Sequence, residues 1–135
     1  MAVDRPLTLP QLAGVAGVRY RTLHAWLQRG LLRPSFQSST GTGIPNLFSV
    51  QDALAARILA DLRRAGLDLD ALERVAAELR ERGGELQEHD VLSINGSVQI
   101  LDESRRLRDA LDRPEPALLY RVSWARAAIG ALELR

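Results

Sequence analysis

The 135-residue chain is 46% hydrophobic and 26% charged, the balance of a globular protein long enough for one ordinary domain and too short for two large cores. It has no cysteine, which excludes disulfide scaffolds, thiolate metal sites and cysteine nucleophiles. The net charge of +1 hides an asymmetry: residues 1–50 hold five arginines against Asp4 alone, a balance of +4, whereas residues 51–135 hold 13 arginines against 16 acids, a balance of −3. A basic first third suits a polyanionic partner.

The opening "MAVDRPLTLP" holds no apolar run of signal-peptide length, and no uncharged apolar stretch approaches the ~20 residues that span a bilayer. The expectation is a cytoplasmic protein without a membrane segment. In "TLPQLAGVAG", Thr8 and Gln11 have the spacing of a capping box, and Pro10 is tolerated in a first helical turn. Leu9, Leu12, Ala13 and Ala16 then form one apolar stripe, and Gly17 ends a helix of about two turns. A second helix, expected over about 19–29, starts almost at once and stops at Gly30, with "LLRP" leading out. Two short helices joined by a tight glycine-containing turn form the helix-turn-helix pattern.

"SFQSSTGTGIPN" is dense in Ser, Thr, Gly and Pro and reads as an exposed loop, a wing over about 36–47. Gly41 and Gly43 do not make a nucleotide-binding loop: the third glycine of that motif would fall on Asn46, and no Walker lysine follows. Ser49 and Asp52 form a second capping pair, ahead of an apolar face of Leu54, Ile58, Leu59, Leu62 and Ala65 closed by Gly66. Asp68 is placed to cap a fourth helix carrying Leu72, Val75, Ala76 and Leu79.

After Gly83-Gly84 the pattern changes. "VLSINGSVQIL" sets Asn95-Gly96 between two strand-like runs, a strong hairpin signal because both turn residues need positive φ. "DESRRLRDALDRPEP" has room for a short helix, "ALLYRVSW" reads as a strand, and "ARAAIGALELR" fits either strand or helix. The fold class is therefore mainly α, a winged helix-turn-helix of four helices plus a wing over residues 1–82, followed by a small β-containing segment over 85–135.

The second helix carries two distinct sides. Leu23, Trp26 and Leu27 fall within an arc of about 100°, the width of a core-facing stripe, and Thr22 borders it. Trp26 reads as core, locking this helix onto the next one. The opposite arc carries Arg21, His24, Ala25 and Gln28, with Tyr20 at its margin, an arrangement that fits base-edge and phosphate contacts in a major groove. The candidate DNA-binding residues are Arg19, Tyr20, Arg21, Thr22, His24, Gln28 and Arg33. No catalytic constellation can be built, and His24 and His89 stand apart in sequence and read as surface histidines, so no enzyme activity, metal or cofactor is expected.

These residues resemble the DNA-binding domain of the MerR family of transcription regulators. The resemblance rests on Gly17-Val18, Arg21 to Leu23, Trp26, Gly30 to Leu32, Leu47 to Ser49, Asp52 to Leu54 and "LRRAGLDL" at Leu62 to Leu69, and covers roughly 75 of the 135 residues in order and spacing. It implies duplex DNA as partner, with the second helix in the major groove, the wing on the flanking backbone, and Arg21 and His24 facing DNA. Asn46 and Phe48 stand where the family commonly has an arginine and a tyrosine, and Arg19 replaces the usual capping serine. In place of the long dimerisation helix common in the family, Gly83-Gly84 leads into the β-containing segment, so effector sensing in the family's usual way has no support.

Residues 85–135 are expected to pair two chains into a homodimer or to recruit a protein partner, with the strands at Val98 to Leu101 and Leu118 to Trp124 as pairing edges. An antitoxin whose C-terminal segment neutralises a partner toxin enzyme is the alternative. A protein-interaction module that has lost DNA binding is a third reading.

Overall fold

The computed structural model describes residues 6–35, 46–82, 86, 90–95, 97–101, 108, 111–114 and 116–133. Five helices and three strands lie among them: α1 (Leu9–Ala16), α2 (Tyr20–Arg29), α3 (Val50–Arg64), α4 (Leu69–Arg82), β1 (Val91–Ile94), β2 (Val98–Leu101), β3 (Leu118–Arg121) and α5 (Val122–Glu133). The architecture is mainly helical, with a small antiparallel sheet after the helix-turn-helix. No helix among the described residues is long and apolar enough to cross a membrane.

Local chemistry sets the helix starts. The Thr8 hydroxyl accepts from the Gln11 N–H while the Gln11 side chain accepts from the Thr8 N–H, a reciprocal cap that satisfies two donors left over at a helix start. Ser49 and Asp52 do the same for α3. At α4, Asp68 Oδ1 accepts from the Ala71 N–H at 2.8 Å. Gly17 (φ 69°, ψ 35°) and Gly30 (φ 86°, ψ 6°) close α1 and α2 in the left-handed conformation that glycine adopts without steric cost.

The stripes meet in one core. Leu12, Ala13 and Ala16 of α1, Leu23 and Trp26 of α2, Leu54, Ile58, Leu59 and Leu62 of α3, and Leu72, Val75, Ala76 and Leu79 of α4 are all buried. Ala65, expected at the end of the α3 face, is instead its exposed C-cap, because the helix has already ended at Arg64. Phe48 is fully buried and exchanges both backbone hydrogen bonds with Leu7, each 2.8 Å, which ties the strand-like approach to α1 to the residues just ahead of α3. Of the expected wing at 36–47, residues 36–45 lie outside the described residues.

The two strand-like runs pair antiparallel as β1 and β2, with Ile94 opposite Val98 and Val91 opposite Leu101, but the turn differs from the one expected: three residues separate the strands and Asn95 is not at positive φ, so this is not the two-residue turn that Asn95-Gly96 signalled. β3 joins the other edge of β1, with Leu92 opposite Tyr120, giving the order β2-β1-β3. All four β1 residues are buried, as befits the central strand. The strand expected to run from Leu118 to Trp124 stops at Arg121, and the tail that fitted either state is helical. Packing decides it: Val122, Ala125 and Ile129 recur at helical spacing and are buried, and α5 lies against α3 and α1. Trp124 consequently sits on a helix and is 54% exposed. The short helix expected within 102–116 lies largely outside the described residues.

Leu86, Leu92, Ile94, Tyr120, Val122, Ala125 and Ile129 belong to the same buried cluster as the residues of α1–α4. One buried cluster thus joins the residues of α1–α4 to those of the C-terminal segment.

Candidate nucleic-acid interface

α2 is held from three directions, and each hold leaves its outer side open. Leu23 and Trp26 anchor its inner face in the core, with Leu27 half-buried beside them. At its C-terminal end, the Gly30, Leu31 and Leu32 N–H groups return to the Trp26 carbonyl, and Arg80 of α4 donates to the Gly30 carbonyl at 3.1 Å. Arg29 Nε donates to Glu73 Oε1 at 2.8 Å, with Asp70 3.8 Å away, so this arginine braces α2 on α4. Residues 1–50 hold five arginines, but Arg29 is already engaged.

A second clamp fixes the turn ahead of α2. Arg57 of α3 donates to the Ala16 carbonyl at 3.3 Å, and Arg64 donates to the Gly17 carbonyl at 3.2 Å. Both guanidiniums also contact Asp61 Oδ1 at 3.2 Å. A Cβ on Gly17 would lie 2.8 Å from Arg57 Nη1, so the glycine allows both the left-handed turn and the close approach of the arginine. The sequence reading missed Arg57, Asp61 and Arg64. Their spacing of four and three residues marks one side of a helix, yet nothing local reveals that the side faces the turn.

The outer surface of α2 carries the candidate residues. Arg21, His24 and Gln28 are exposed and lie within an arc of about 60° at 100° per residue. Tyr20 is 50% exposed, and its ring stacks on that of His24 with centroids 6.1 Å apart and planes 26° apart. Thr22 is half-buried at the border of the core face. Arg19 is the N-cap, extended at φ −64° and ψ 140°, and its side chain makes no cap, so it offers the first-turn N–H groups of α2 no acceptor. Arg33 lies past the helix, exposed on the segment leading out of α2, and so is apart from the other six.

Arg19, Arg21 and Arg33 make no ion pair with a described residue, in contrast to Arg29, Arg57 and Arg64. An unpaired cation on a rigid helix beside uncapped N–H groups is suited to receive phosphate oxygens, and the polar side chains one turn apart are suited to base edges. Among the described residues no three His, Cys, Asp or Glu side chains converge as a metal site, and His89 lies outside them.

Two packed helices joined by a glycine turn, with the second presenting a polar cationic side, define a helix-turn-helix protein. Residues 7–79 match the model of the MerR HTH family of regulatory proteins. The match extends over more than half of the chain, which therefore belongs to the MerR family. The chain is also similar to an uncharacterized HTH-type transcriptional regulator of Mycobacterium bovis and to two such regulators from strains of Mycobacterium tuberculosis, each 34% identical over 74 residues. The aligned region covers 55% of this chain and 33% of each relative, so the chain spans about a third of the length of the curated relatives it matches.

Proposed function

We propose that the protein is a transcription regulator that binds duplex DNA through the outer side of α2. Arg21, His24 and Gln28 meet base edges in the major groove, while Arg19, Tyr20 and Thr22 approach phosphates at the helix start. Arg33 adds a phosphate contact beyond the helix, and the wing over about 36–47 lies on the flanking backbone. Residues 1–82 form the DNA-binding part. Residues 85–135 pair two copies, because a two-fold symmetric operator needs two recognition helices one turn of DNA apart. No step of this activity calls for an enzyme site or a cofactor, and its place is the cytoplasm.

One observation carries the reading: the side of α2 opposite Leu23 and Trp26 gathers Arg21, His24 and Gln28 on a helix fixed at both ends, with Arg21 and Arg19 unpaired among the described residues. Membership of the MerR family supports it. The test is an amide NMR titration of the full chain with random-sequence duplex at low salt. Shifts centred on Arg19–Gln28 and reversed by added salt are expected. Shifts confined to other elements, or none, overturn the assignment.

A further inference from the structure

A cavity of about 340 Å³ opens between α3, α4 and the segment leaving α2, at the small end of the ~300–1,000 Å³ typical of small-molecule sites. Its wall is largely apolar: Leu54, Ile58 and Leu59 of α3 face Ala76 and Leu79 of α4, and Leu86 contributes at one end. The polar part is concentrated in Arg33, Arg80, Ser35, Gln51 and Asp52.

The two arginines are the informative pair. Both line the same cavity, and neither makes an ion pair with a described residue. Arg80 spends one N–H on the neutral Gly30 carbonyl. The single carboxylate of the lining, Asp52, is committed elsewhere: its Oδ2 accepts from the Ser35 N–H at 3.0 Å, the Ser35 hydroxyl at 2.7 Å and the Ser49 N–H at 2.9 Å. Burial first, and then the positive charge of Arg33, push the Arg80 guanidinium below its ordinary value.

We propose that this cavity is a binding site for a small amphipathic carboxylate, its apolar body between α3 and α4 and its carboxylate on Arg33 and Arg80. A planar guanidinium pairs with a carboxylate through two parallel hydrogen bonds, and a desolvated apolar floor strengthens that charge-assisted contact. A neutral molecule of the same shape gains only the apolar part. An amine meets two like charges.

Octanoate, octanol and octylamine serve as probes of the full chain by isothermal titration calorimetry, with methyl NMR of Ala76 and Leu79 to locate binding. Arg33 is also the cation proposed above for a phosphate beyond α2; no DNA is present in this experiment, so its outcome is read independently of the DNA-binding reading. Octanoate is expected to bind saturably with one site per chain, to shift both methyls, and to bind roughly tenfold or more tightly than octanol, with no binding of octylamine. Arg80→Gln should weaken octanoate by a similar factor, and Ala55→Phe, which places a ring at the cavity wall, should block it. If Ala55→Phe does not fold, Arg80→Gln and the methyl shifts decide. Octanoate and octanol binding equally well, octanoate binding unaltered by Arg80→Gln, or methyls that stay in place would each overturn the proposal.

Discussion

The hydroxyl of Tyr120, on β3, donates a 2.6 Å hydrogen bond to Asp61 on α3, the same carboxylate that receives Arg57 and Arg64. Those two arginines hold the Ala16 and Gly17 carbonyls at the helix-turn-helix turn. A side chain of the C-terminal sheet therefore reaches, through one carboxylate, the turn that orients α2. The Tyr120 ring is also braced edge-on by Trp124, with centroids 5.5 Å apart.

Tyr120→Phe removes the donor and keeps the ring. A hydrogen bond to a charged acceptor is worth about 1.5–3 kcal/mol, and some of that is recovered here because Asp61 keeps both arginines. The variant should lose about 1–2 kcal/mol in urea unfolding, with an unchanged m-value. Wild-type stability in this substitution would show that the contact contributes nothing.

The same phenol predicts a pH dependence. Burial first, then the hydrogen bond to Asp61 and its negative charge, raise the Tyr120 pKa well above its ordinary value. The folded state keeps the proton that the unfolded state releases near pH 10, so this stability is complete below that pH and declines above it, by at most about 1.4 kcal/mol per pH unit. Urea midpoints measured from pH 8 to 11 should converge for wild type and Tyr120→Phe at the alkaline end. Parallel curves would contradict the linkage.

Gly17 and Gly30 both adopt positive φ, but their surroundings differ. A methyl at Gly30 meets nothing within 4 Å, so Gly30→Ala carries only the backbone cost of about 1–2 kcal/mol. Gly17→Ala carries that cost and also displaces Arg57, breaking its bond to the Ala16 carbonyl. Thermal unfolding should rank Gly17→Ala below Gly30→Ala. In an Arg57→Ala background the gap between them should shrink, since the displaced group is gone.

Trp26 is 5% exposed, and its carbonyl receives the N–H groups beyond α2. Trp26→Ala should cost on the order of 3–5 kcal/mol through lost burial and the cavity left behind. A loss below about 1 kcal/mol would mean that the ring does not anchor α2.

What could be read in the sequence was local. The Thr8–Gln11, Ser49–Asp52 and Asp68–Ala71 caps each act over three residues, and Gly17 and Gly30 mark their turns by themselves. The Asn95-Gly96 signal likewise marked the connection between neighbouring runs, but not its form: Ile94 pairs with Val98, which leaves three residues between the strands, and Asn95 does not take the positive φ expected of it. The holds on α2 were not legible, because Arg57–Ala16, Arg80–Gly30 and Tyr120–Asp61 join residues 41, 50 and 59 positions apart. The end of β3 is not legible for a related reason: "ALLYRVSW" has strand composition throughout, and only burial of Val122 and Ala125 against the helical core makes its last part a helix. On α2 the division into two sides was plain from periodicity, whereas the difference between Arg21 and Arg29 was not. Arg29 meets Glu73 across the fold, and no pattern within α2 announces it.

That contrast supplies the most direct test: duplex association of the full chain followed by fluorescence anisotropy across a salt series, for wild type, Arg21→Ala and Arg29→Ala. Both arginines lie on α2, but Arg29 is paired to Glu73 with both side chains about half exposed, so its loss should cost under about 1 kcal/mol of stability and leave the salt slope unchanged. Arg21→Ala should keep full stability and lose about 1–3 kcal/mol of affinity if it reads a base, or about one unit of slope if it holds a phosphate. A folded wild-type chain that shows no salt-sensitive association with any duplex, or an Arg21→Ala variant indistinguishable from it, would contradict the account.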